Sequence, residues 1–98
     1  MPFLIETWDK PDHGAVRQAH RPAHLAYLEK NQSLLLACGA KMDDGGTIPE
    51  GSFYIVDVED RAAAERFIAA DPFTQVGVPA RMTITRWRLA FLDRRSYL

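Results

Sequence analysis

The chain has 98 residues, a formal net charge of −1, 47% hydrophobic and 26% charged residues, and a single cysteine. That length predicts one domain over residues 1–98. The near-neutral charge gives no reason to expect nucleic acid or an anionic membrane as partner, and the longest apolar run, Leu34 to Cys38, is far too short to cross a bilayer.

The N-terminal residues lack a basic stretch and reach an acid at Glu6, so they do not read as a signal peptide. Cys38 cannot form an internal disulfide, which fits a cytoplasmic protein, and within its apolar run it reads as a small buried hydrophobe. Pro2 to Trp8 is rich in β-forming residues and predicts a first strand that stops before Pro11. Asp12 to Asn31 predicts a helix capped by Asp12, with Pro22 placing a break near Arg21 and a firm helix from Pro22 onward.

Leu34 to Gly39 is continuously apolar and predicts a strand buried on both faces. Met42 to Thr47 carries the Asp and Gly residues of a tight turn. Ser52 to Val58 alternates and predicts a third strand with Tyr54, Val56 and Val58 on its apolar face. Asp60 is placed to cap a helix over Arg61 to Ala70, whose Ala64, Phe67 and Ile68 form one buried stripe. Pro72 ends that helix, Phe73 to Gly77 predicts a further turn, and Arg81 to Leu92 alternates as a long last strand. The polar tail Asp93 to Leu98 ends in Tyr-Leu, a candidate contact with a partner subunit.

Strand, helix, strand, strand, helix, strand is the ferredoxin-like βαββαβ order. It predicts an α+β domain with a four-stranded antiparallel sheet and both helices on one face. The opposite face then needs a cover that so short a chain cannot supply, and a homodimer pairing two sheets is the economical solution.

Two short motifs offer chemistry. Arg21-Pro22-Ala23-His24-Leu25 carries an imidazole that can accept and return a proton near neutral pH, and a guanidinium suited to a carboxylate. Asp71-Pro72-Phe73 carries a carboxylate at a helix C-terminus, where the dipole disfavours it; the same Asp-Pro pair is also a good cap for the following turn. The fold is expected to bring the two motifs together at one small pocket. His24 can equally be a locally bonded helix histidine, Arg21 a surface arginine paired with an acid, and Phe73, Trp8 and Trp87 either pocket walls or core. His13, His20 and His24 would align on an unbroken helix, but the expected break at Pro22 and the absence of the zincin glutamate argue against a metal site. No phosphate loop, nucleophile elbow or CxxC is present.

With Leu35 to Gly39 leading to Asp43 and Gly46, Gly77 after Asp71-Pro72-Phe73, and Trp87 in the last strand, the chain resembles the YciI-like (YCII-related) proteins of the dimeric α+β barrel group. The resemblance implies a dimer and an active site centred on a histidine and an aspartate, here His24 and Asp71. Asp43 falls near a family acid and is otherwise a turn residue. Arg21, Asp43 and Phe73 are therefore the expected substrate-binding residues.

Two classes of function follow. One is a small enzyme without cofactor or metal, performing elimination or isomerisation on a small anionic or aromatic molecule, with His24 as general base or acid and Asp71 orienting it. The other is a dimeric binding or regulatory module that captures a small ligand without chemistry.

Overall fold

In the computed structural model, which describes residues 2–98, the β-forming N-terminal segment becomes strand β1 (Pro2–Asp9). Phe3, Ile5 and Thr7 are buried, while Leu4, Glu6 and Trp8 turn to the other face and are half-buried. Asp12 takes a left-handed φ of 63°. It does not cap the helix that follows, α1 (Gly14–Lys30); His13 occupies that position and makes no side-chain capping bond.

Nor does Pro22 break α1, which runs unbroken through it. The proline removes one backbone donor, but it lies on the exposed side of the helix. Water can hydrate the carbonyl left without a partner there, so the cost falls short of a break.

A short 3₁₀ turn (Gln32–Leu34) leads into β2 (Leu35–Met42), which turns into β3 (Pro49–Asp57). Helix α2 (Arg61–Ala69) begins at Asp60, whose carboxylate accepts the Ala63 N–H at 2.9 Å. One helical turn, α3 (Pro72–Gln75), starts at Asp71 with Pro72 in its first position. The chain then forms β4 (Pro79–Arg86).

The sheet order is β2-β3-β1-β4, with every pair antiparallel. Phe3, Ile5, Tyr54 and Val56 point to one face and pack with Ala64, Phe67 and Ile68 of α2 and with Tyr27 and Leu28 of α1. Full burial of such side chains stabilises the fold by about 1.5–3 kcal/mol each. Both helices therefore sit on one face of the sheet, the ferredoxin-like βαββαβ arrangement. No helix among the described residues is long and apolar enough to cross a membrane.

Two further expectations need correction. Strand β2 is only half-buried, because this order puts it at the sheet edge. The last strand stops at Arg86, and the Trp87 N–H makes one further bond, to the Pro2 carbonyl at 3.3 Å. After it, Asp93 and Arg94 adopt φ of 51° and 64°, the two positive angles of a type I′ turn, which folds β5 (Phe91–Leu92) onto β6 (Arg95–Ser96). The tail is thus a small separate hairpin, with Phe91, Tyr97 and Leu98 exposed.

Candidate functional site

The continuity of α1 decides the site. On an unbroken helix, residues four and seven apart share a face, and Arg17, Arg21 and His24 have that spacing. All three line a pocket of about 320 Å³ between α1 and the β2–β3 edge of the sheet. Ser52 and Tyr54 of β3, Cys38 of β2 and Phe73 of α3 complete its polar and aromatic walls; Leu25, Leu28 and Ile48 make it partly apolar.

The two sequence motifs meet here. His24 is 6% exposed and Asp71 fully buried. His24 Nδ1 and Asp71 Oδ1 are 2.8 Å apart. The same oxygen accepts the Phe73 N–H at 2.9 Å, and Oδ2 accepts the Tyr54 hydroxyl at 2.8 Å. A carboxylate that takes donors on both oxygens is held as an acceptor, so Nδ1 is read as carrying the imidazole proton and Nε2 as the free lone pair. The His24 ring stacks on Phe73, with centroids 3.8 Å apart and planes at 9°. Asp71 thus caps α3 and bonds His24 at once.

Burial, then the Asp71 charge and the hydrogen bond to it, push the Tyr54 hydroxyl well above its ordinary value. Tyr54 stays a neutral donor. Burial and the same charge also raise Tyr27 and the Cys38 thiol. A thiol held protonated is a poor nucleophile.

Arg21 lines the pocket with an exposed side chain. Asp43 does not line it. Its Oδ1 accepts the Thr47 and Ile48 N–H groups at 2.8 Å each, and those bonds, Ile48 first, hold its carboxyl below the ordinary value. Within this chain Asp43 works as a turn residue. Trp8 and Trp87 do not line the pocket either. Trp8 lies on the sheet face away from the helices, with Lys41 Nζ and Arg81 Cζ at 3.8 Å and 3.7 Å from its ring centroid. Pro22 does not separate His20 from His24 as expected, yet His24 turns its Nδ1 to Asp71.

Sequence reasoning missed Arg17. It is 7% exposed and bonds Asp9, the Gly51 carbonyl and Ser52. Its spacing from His24 was the available signal, and the expected break at Pro22 concealed it.

A family model described as the YCII-related domain matches residues 1–88. Protein YciI from Escherichia coli O6:H1 is 31% identical over 98 residues, covering 93% of this chain and all of that one. Among solved structures, 5-chloro-2-hydroxyhydroquinone dehydrochlorinase (TftG) from Burkholderia phenoliruptrix AC1100, in complex with 2,5-dihydroxybenzoquinone, is 34% identical with a TM-score of 0.85, covering 90% of this chain and 94% of that one. An antibiotic biosynthesis monooxygenase, 20% identical with a TM-score of 0.54 over 90% of this chain and 96% of that one, shares the fold.

Proposed function

The chain belongs to the YCII-related family, and from that premise we propose that it is a small acid/base enzyme that eliminates or isomerises a small aromatic or anionic compound. The observation that carries this reading is the 2.8 Å bond between His24 and a fully buried Asp71. With Nδ1–H committed to Asp71, Nε2 is the basic atom. It takes a proton from the substrate, and Asp71 stabilises the imidazolium that results without itself accepting the proton. In an elimination the electron pair left behind expels the leaving group, and the imidazolium returns its proton to solvent or product. Similarity to a dehydrochlorinase over most of both chains supports elimination as the reaction class.

A homodimer is part of the same proposal. Leu4, Ile55 and Ala37 pair across β1, β3 and β2 on the face away from the helices. That apolar row suits a two-fold contact between identical sheets.

Removing a positioned general base typically costs about 10²–10⁴-fold in rate. His24→Asn should therefore lower kcat by that order on a chlorinated hydroxyhydroquinone while circular dichroism and oligomeric state stay unchanged. Undiminished turnover in that variant would sink the mechanism. Ligand binding with no turnover in the native protein would instead favour a binding module.

A further inference from the structure

The acid/base pair leaves Arg17 unused. Its guanidinium is fixed at three points: Nη1 donates to Asp9 Oδ2 at 2.8 Å, and Nη2 donates to the Gly51 carbonyl at 3.2 Å and to Ser52 Oγ at 3.0 Å. Its Cζ also lies 4.7 Å from the Phe73 ring centroid, the ring on which His24 stacks. A guanidinium has five N–H donors. These three bonds leave Nε–H and one Nη1 proton, on a side chain that is itself 9% exposed and lines the pocket.

Charge points the same way. The lining holds Arg17 and Arg21 and no carboxylate. Asp71 is sealed behind His24 and Tyr54, and Asp9 meets Arg17 from outside the lining. A rigid, desolvated cation binds an anion more strongly than a mobile surface arginine does, because little side-chain entropy remains to be lost. A pocket of about 320 Å³ lies at the small end of the range of ligand sites, roughly 300–1,000 Å³, and suits a single ring.

Resting on the acid/base reading of this site, we infer that Arg17, rather than the exposed Arg21, is the specificity-determining residue: a fixed cation that receives the ionised oxygen of a single-ring phenolate or enolate substrate. Asp9, Gly51 and Ser52 act through it as positioning groups.

Titration calorimetry of 2,5-dihydroxybenzoquinone, ionised at neutral pH, against its uncharged dimethyl ether tests this. The native protein should prefer the anion by about tenfold or more, the scale of one charge-assisted contact. Arg17→Gln should erase that preference, Arg17→Lys should keep only part of it, and His24→Asn should retain it. Should Arg17→Gln fail to fold because Asp9 is left unpaired, the double variant D9N/R17Q removes both charges and takes its place. An anion preference that survives in whichever neutral variant folds would overturn the inference. So would a native protein that binds both compounds equally, or neither. Because binding is read without turnover, an active His24→Asn would defeat the proposed chemistry and leave this result intact.

Discussion

At the scale of single residues, the decisive object is the Asp71 carboxylate, which is fully buried and takes donors from His24, Phe73 and Tyr54. Tyr54→Phe leaves Oδ2 buried without its donor. The expected cost is about 1–3 kcal/mol, read as a lower urea midpoint at pH 7. The same hydroxyl sets an alkaline limit. Its folded value lies above the ordinary 10.0, so the unfolded chain releases that proton first as pH rises past 10.0. Stability is complete below that point and falls above it. The native protein should lose stability more steeply there than Tyr54→Phe, with Tyr27 and Cys38, shifted the same way, keeping some slope in the variant. Denaturation profiles between neutral and strongly alkaline pH check this, and equal slopes would refute it. His24 and Asp71 are legible in the sequence as candidates because each sits in a short motif, and the structure brings the two side chains into contact. Arg17 has no such motif, and only its place on a continuous helix identifies it.

At the scale of elements, the periodicities carried most of the fold. β-forming composition marks β1, alternation marks β3, and the stripe Ala64, Phe67, Ile68 marks α2. What failed was local rule against tertiary context. Pro22 should stop a helix, yet its exposed position spares α1 a break. The alternation from Arg81 onward did not show where pairing partners run out, so the last strand was read too long. Gly51 is a further case, invisible without coordinates. A Cβ there would stand 2.1 Å from the Thr7 carbonyl oxygen and 2.7 Å from Lys41 Cε. Backbone on one side and a pinned side chain on the other leave little room to give. Gly51→Ala should cost at least about 1–3 kcal/mol and displace the carbonyl that holds Arg17. An unchanged thermal midpoint would show that the two strands can separate without penalty.

At the scale of the whole molecule, the helices cover one face of the sheet, and the described residues supply no second helical layer. The apolar row Leu4, Ile55, Ala37 is the natural seam of the proposed dimer. Ile55→Lys would place a charge in that seam, and desolvating it costs several kcal/mol. The variant should sediment as a monomer at concentrations where the native chain sediments as a dimer. A native monomer would remove the seam from the proposal. Element order made the ferredoxin-like arrangement legible in the sequence, but an assembly is a property of surfaces, and the alternation shows only that such a face exists.

The contact between His24 and Asp71 joins residues 47 positions apart. Closing a loop of that length carries an entropic penalty that only the packing of β2, β3 and α2 inside it can offset. Under the proposed chemistry, recovery of turnover after dilution from denaturant should lag the return of helical signal, so that activity would report the docking that brings His24 to Asp71.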